Sequence, residues 1–192
     1  MARQTFVRHT GSHSSAEPTP VHIRPVRPDD AVAIQAIYAH HVLHGLGTFE
    51  ETPPPLAEMQ ARLAKVADQG LPWLVAEQDG AVAGYGYAGL FHVRSAYRFT
   101  VEDSLYIHPN HLSRGVGSAL LGELIARCTA LGLRQMVALI GDSGNAGSLA
   151  VHRKHNFCDV GVLKSVGWKH NRWVDVVFMQ RPLGAGDAFV SA

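Results

Sequence analysis

The stretch from Glu102 to Gly117, EDSLYIHPNHLSRGVG, constrains the fold more than any other part of the chain. Leu105 and Ile107 suit a strand, Pro109 and Asn110 end it, and Gly115 and Gly117 open a helix. Behind them Val116, Leu120, Leu121, Leu124, Ile125, Cys128 and Leu131 recur at steps of three and four, the period of one helix face. The unit is strand, tight turn, helix. Glycine in such a turn lets the backbone approach a ligand, and the unpaired N–H groups of a helix N-terminus carry about half a positive charge. An anion is expected there, most simply a phosphate.

The residues around the glycines narrow the choice of phosphate ligand. A triphosphate loop needs Lys and then Ser or Thr directly after its last glycine, but Gly117 is followed by Ser118 and Ala119. A dinucleotide fingerprint needs a third glycine where Leu120 stands. What fits is Gln or Arg, two residues, Gly, one residue, and Gly or Ala. The segment LSRGVG, residues 112–117, resembles that pyrophosphate loop of GNAT-superfamily acetyltransferases. It departs at Leu112, where Gln or Arg is usual, and Arg114 offers a replacement charge. The flanks extend the likeness through Tyr87-Ala88-Gly89, Arg94, Ala96-Tyr97, Thr100, Glu102, Tyr106, Pro109, Ile140-Gly141, Asn145, Ser148, His152 and the run GWKHNRW with Asp175. Over roughly residues 22–182 the chain is similar to the phosphinothricin N-acetyltransferase family and its methionine sulfone and sulfoximine acetyltransferase relatives.

With 192 residues, 46% hydrophobic and 17% charged, the composition is that of one globular domain. A formal net charge of +1 gives no field to attract nucleic acid or an anionic membrane, so neither is an expected partner. There is no run of eighteen apolar residues and no secretory leader pattern. Cys128 and Cys158 are too few for a disulfide framework and are read as small packed hydrophobes in a reducing cytoplasm.

Residues 1–20, rich in Ser, Thr, His and Pro, are read as a mobile arm, 21–183 as the single domain and 184–192 as a tail. An edge strand is expected over Val21–Val26, and Asp29 or Asp30 is expected to cap a helix ending near Gly45. A loop containing Phe49 and three prolines leads to a second helix from Leu56. Trp73–Glu77 and Ala81–Leu90 pair across the Asp79-Gly80 turn. After the phosphate-loop helix come a core strand at Gln135–Ile140, a helix at Ser148–His155, and two final strands in which Trp168, Trp173 and Phe178 are expected to pack. Alternating strands and helices with hairpins at both ends argue an α/β fold: a mixed sheet with helices on both faces.

The resemblance implies the GNAT fold, with a mostly antiparallel sheet splayed where acetyl-CoA binds. It also implies transfer of acetyl from acetyl-CoA to the α-amino group of a small amino acid or analogue. On it, the backbone of Leu105, Tyr106 and Ile107 pairs with the pantetheine arm, and Ser113, Arg114, Gly115, Val116, Gly117 and Ser118 cradle the pyrophosphate. Asn145 and Ser148 contact the cofactor arm. Glu102 takes the place of the general base and His152 that of the group that protonates the leaving thiolate or assists the base. Phe49 is an acceptor wall, Arg94 and Arg98 are carboxylate ligands, and a homodimer forms through the last hairpin.

Physical chemistry supports Glu102 in one respect and questions it in another. Alternation along a strand turns Asp103 to the opposite face, leaving Glu102 alone beside the amine. A carboxylate with a pKa of about 4 is nevertheless a weak base for an ammonium unless burial raises it or ordered water relays the proton. Twelve histidines invite a metal, yet no HExxH or Cys-x-x-Cys accompanies them and none is assigned. Other acceptors (a polyamine, an aminoglycoside, a protein N-terminus) and a non-catalytic acyl-CoA sensor remain as alternatives. Glu102 and His152 together argue against a sensor, which needs neither.

Overall fold

The computed structural model describes residues 19–188; residues 1–18 of the arm expected at 1–20 and the last four residues of the expected tail lie outside the described residues. Seven strands form one sheet in the order β1-β2-β3-β4-β5-β7-β6. They are β1 His22–Pro25, β2 Trp73–Gln78, β3 Ala81–Leu90, β4 Thr100–Ile107, β5 Gln135–Gly141, β6 Cys158–Lys169 and β7 Arg172–Pro182. All neighbours are antiparallel except β4 and β5. The mixed sheet expected from the sequence is present.

Strand alternation divides the core into two layers. Trp73, Val75 and Tyr85 face helices α1 (Ala31–His44) and α2 (Leu56–Asp68), where Ile34, Ile37, Tyr38, Val42, Met59 and Val66 cover them. Leu74, Ala76, Val101, Met136 and Ala138 face the other way, against Leu120, Leu121, Leu124 and Cys128 of α3 (Val116–Ala130). Each such fully buried aliphatic side chain contributes about 1.5–3 kcal/mol relative to exposure. The short helix α4 (Ala146–Lys154) lies on the α3 side.

Four sequence expectations are corrected. The helix α1 is preceded by a 3-10 turn at Pro28–Asp30, and Asp30 makes no side-chain cap. Its carboxylate instead accepts two 2.7 Å bonds from buried Arg24, which also reaches Glu77. A buried guanidinium needs such partners more than a helix needs one more cap. Helix α4 begins at Ala146 rather than Ser148, because Asn145 caps it by accepting from the Ser148 N–H at 3.2 Å. Cys158 is exposed, since it starts the edge strand β6. Trp168 and Trp173 are 52% and 62% exposed, their rings 5.1 Å apart on the last hairpin rather than in the core.

Candidate active site

The parallel pairing of β4 with β5 runs from Thr100–Gln135 to Asp103–Ala138 and then stops, although β4 continues to Ile107 and β5 to Gly141. The two strands part at Asp103. Their outer neighbours stay paired to the end, β3 with β4 through Ile107 and β7 with β5 through Gly141. The opening is therefore a V in the middle of the sheet. Half-buried Leu105, Tyr106 and Ile107 border it on the β4 side. One acceptor there is already used, because the Ile107 carbonyl receives a 2.8 Å bond from His41 Nε2. A carbonyl only accepts, so Nε2 carries the proton, and burial holds the His41 pKa below the ordinary histidine value.

Beyond the V, the chain turns into α3 through two left-handed residues, Ser113 (φ 59°) and Gly115 (φ 85°), the second directly before the helix. The N–H groups of Val116, Gly117 and Ser118 then face outward without intrahelical partners, the polarity that receives a phosphate. Leu112 is exposed. Arg114, expected to add charge to this loop, turns instead to the β2–β3 hairpin, where Asp79 Oδ2 accepts from its Nη2 at 2.7 Å. The loop's attraction for an anion rests on backbone rather than on this side chain. Ser118 Oγ and His155 Nε2 share a 2.9 Å hydrogen bond that ties α3 to the end of α4. A gap bordered by unpaired strand and leading to a helix N-terminus fits an extended ligand with amides along its length and a pyrophosphate at its end.

Glu102 and Asp103 straddle the apex of the V and point to opposite faces. Glu102 is half-buried on the α1/α2 side; burial, with the Asp103 charge adding to it, raises its pKa above the usual carboxylate range. Asp103, buried on the α3/α4 side, accepts from His152 Nε2 at 3.0 Å. His152 is 2% exposed, with Nδ1 2.8 Å from the Ser148 carbonyl. It is enclosed among Asp103, Ser148 and the Phe157 ring rather than open to a departing thiolate.

Residues 45–50 pack against the ends of β5 and β6. Leu46 and Gly47 press against Gly141 at the end of β5, and Phe49 lies on Gly167, where a methyl group would come within 2.7 Å of the ring. The Tyr38 hydroxyl meets Thr48 Oγ1 at 2.9 Å, and Arg62 holds Glu50 at 2.8 Å. Fully buried Lys169 donates from Nζ to the Thr48 carbonyl at 2.7 Å. Burial lowers the Lys169 pKa, while Glu51 and Glu50 pull it upward. Arg94 is exposed and lines a cavity of about 300 Å³ with His92, Val93 and Tyr97. Arg98 is folded onto the Phe99 ring at 4.6 Å and donates to the Ser95 carbonyl.

The structure thus gathers Glu102, the β4 edge and the 113–118 loop around the V, and places Asn145 and Ser148 on the helix fixed to Asp103. Sequence reasoning missed the long-range contacts made by Asp103, His41 and Lys169. Strand alternation gave Asp103 its direction but not its partner, and neither His41 nor Lys169 sits in a local pattern that names its target. Among the described residues no group of three or more His, Cys, Asp or Glu is placed to hold a metal.

A parted parallel strand pair, an anion-receiving turn and a half-buried carboxylate at the parting define a GNAT acetyl-transfer site. The acetyltransferase (GNAT) family model matches residues 34–157, and the chain belongs to this family. It is an acetyltransferase. The chain is 58% identical over 165 residues to the phosphinothricin N-acetyltransferase of Alcaligenes faecalis, covering 86% of this chain and 84% of that protein. It is 41% identical over 159 residues to an L-methionine sulfoximine/L-methionine sulfone acetyltransferase of Pseudomonas aeruginosa, covering 82% and 92%. Its fold is similar to that of a phosphinothricin acetyltransferase from Sinorhizobium meliloti solved with acetyl-CoA, with a TM-score of 0.87 and 47% identity over 90% of this chain and 93% of that one.

Proposed function

We propose that the protein transfers acetyl from acetyl-CoA directly to the α-amino group of a small amino acid or analogue of the phosphinothricin, methionine sulfoximine or methionine sulfone type. The observation that carries this reading is the half-buried Glu102, with its raised pKa, at the apex of the V. Acetyl-CoA supplies an activated thioester. The N–H groups of Leu105 and Ile107, on the β4 edge that faces the V, hold its arm as an added strand and polarise the acetyl carbonyl, while Tyr106 between them bonds β3. The N–H groups from Ser113 to Ser118 hold the pyrophosphate, with Asn145 and Ser148 flanking the arm. Glu102 takes a proton from the acceptor ammonium; the neutral amine then attacks the thioester carbonyl, the C–N bond forms as the C–S bond breaks, and CoA leaves as a thiolate that takes up the second proton lost by the amine nitrogen.

Phe49 walls the acceptor and Arg94 receives its carboxylate. Arg98 would first have to leave Phe99 to share that task, so Arg94 is the better donor. His152 acts from within the protein, through its hold on Asp103 and α4, in place of direct protonation of the thiolate. The test is release of free CoA thiol from acetyl-CoA across a panel of phosphinothricin, methionine sulfone, methionine sulfoximine, ordinary amino acids and polyamines. Turnover is expected with the amino-acid analogues. Activity confined to polyamines, or acetyl-CoA binding without turnover of any amine, would overturn the assignment.

The same reading includes a homodimer in the cytoplasm. Val160, Val162, Leu163, Val166, Trp168 and Trp173 are 44–62% exposed along β6 and the end of its hairpin, an apolar edge that a second copy would cover. Trp168→Glu is expected to shift the protein from dimer to monomer in sedimentation equilibrium. An unchanged mass would place the contact elsewhere.

A further inference from the structure

The carboxylate of Asp103 is nearly inaccessible, and only one of its oxygens is partnered. Oδ2 accepts from His152, whereas buried Oδ1 has no hydrogen-bond partner among the described residues. The other end of the contact is equally constrained. His152 Nδ1 lies 2.8 Å from the Ser148 carbonyl, which can only accept, and Nε2 lies 3.0 Å from Asp103 Oδ2, a carboxylate acceptor. Two acceptors on one imidazole require two ring protons. The Ser148 hydroxyl, at 3.4 Å from Nδ1, is the more distant neighbour.

We propose that Asp103 is a positioning residue for acetyl transfer: it keeps His152 doubly protonated, locks α4 to the apex of the V through that ion pair, and sets the charge that Glu102 meets across the strand. The inference rests on Glu102 being the base of the proposed reaction. Geometry gives the three parts. Asp103 is the last β4 residue paired with β5, so its side chain is fixed where the cleft opens. His152 belongs to the helix that begins with Asn145 and Ser148, so this pair fixes the residues assigned to the cofactor arm. Glu102 is the adjacent residue on the opposite face.

The surrounding titratable groups do not interfere. Around the pair, Cys128 of α3 has its thiol pushed up to about 12 by burial and by the Asp103 charge, so it stays neutral. His155, directly after α4, is held below the ordinary histidine value, chiefly by burial. On the Glu102 side, Tyr87 of β3 is raised by burial and is also neutral. For His152 itself, burial disfavours the charge, but the Asp103 bond and charge and the Ser148 carbonyl outweigh it, and the net shift is upward.

The experiment follows the His152 ring nitrogens by ¹⁵N NMR in the full-length protein, assigned with His152→Asn, alongside kcat/KM against pH for the wild type and Asp103→Asn. In the wild type both nitrogens are expected to be protonated at pH 7; a neutral tautomer there would overturn the proposal. In Asp103→Asn the new amide fills the same space without charge, so His152 is expected to titrate below about 6.5, the ordinary histidine value. With one negative neighbour gone, Glu102 ionises at lower pH, and the acid limb of kcat/KM moves down, with little change in KM for acetyl-CoA. A merely structural Asp103 would lower the melting temperature and leave both titrations where they were, and that result would also overturn the proposal. Should Asp103→Asn fail to fold, the wild-type nitrogens still decide the protonation state, and His152→Gln must move the acid limb or the proposal fails. The ring nitrogens report whether or not any acceptor turns over, so failure of the acetyl-transfer reading is distinguishable from failure of this one.

Discussion

Glu102→Gln is expected to lower kcat about 10²–10⁴-fold, the usual contribution of a positioned general base, while KM for acetyl-CoA stays near its wild-type value. Gln preserves the volume and one hydrogen-bonding oxygen, so the change removes basicity and little else. No neighbouring acid can take over. Asp103 is turned through the sheet and engaged with His152, and Tyr87, the titratable neighbour on the Glu102 side, is held neutral by burial. The pH profile carries a second part of the expectation. Burial and the Asp103 charge raise the Glu102 pKa, so the wild-type rate climbs with pH as the carboxylate ionises, and that acid limb should vanish in the variant. Steady-state kinetics over a pH series measure both. Full kcat at every pH would remove Glu102 from the reaction.

The second large effect is expected from backbone crowding rather than from a titrating group. A methyl group at Gly141 would overlap the Leu46 carbonyl oxygen and come within 3.2 Å of the Gly47 Cα. Both are backbone atoms and cannot swing aside as a side-chain end would. Gly141→Ala must displace the 45–50 loop or the end of β5, and overpacking of this kind costs about 1–3 kcal/mol. For a domain of this size the melting temperature should fall on the order of 5 °C. The loop carries Phe49 and Thr48, so KM for the acceptor should rise while KM for acetyl-CoA changes little. Calorimetry and two-substrate kinetics separate the two effects. An unchanged melting temperature with an unchanged acceptor KM would show that the loop yields freely.

Much of this site is legible in the sequence because it depends on local order. The 112–117 turn, the β4 strand before it and the α3 helix after it are consecutive, and their glycines, proline and apolar spacing specify them without reference to the rest of the chain. The opposed directions of Glu102 and Asp103 follow from the period of a strand. What stayed hidden depends on contacts across long separations. Lys169 and Thr48 are 121 residues apart, and His152 and Asp103 are 49 apart, and no spacing rule connects either pair. Arg114 shows the converse limit: its position in the loop suggested a phosphate ligand, but the hairpin beside it presents Asp79, and the nearer opposite charge prevails. The tryptophans of the last hairpin were misplaced for a different reason. Large aromatic residues signal burial without saying whether the cover comes from the same chain.

The strand β4 is a partition one residue thick. Its odd-numbered side chains from Asp103 look toward the helices assigned to the coenzyme, and its even-numbered ones from Glu102 look toward the loop assigned to the acceptor. Substitutions can accumulate on the loop side, altering which amine is accepted, without disturbing the machinery that delivers the acyl group. Such a division allows a lineage to change its substrate while keeping its chemistry. Every peptide bond of β4 joins the two halves, and at the one between Glu102 and Asp103, where the cleft opens, a change on either side is felt on both.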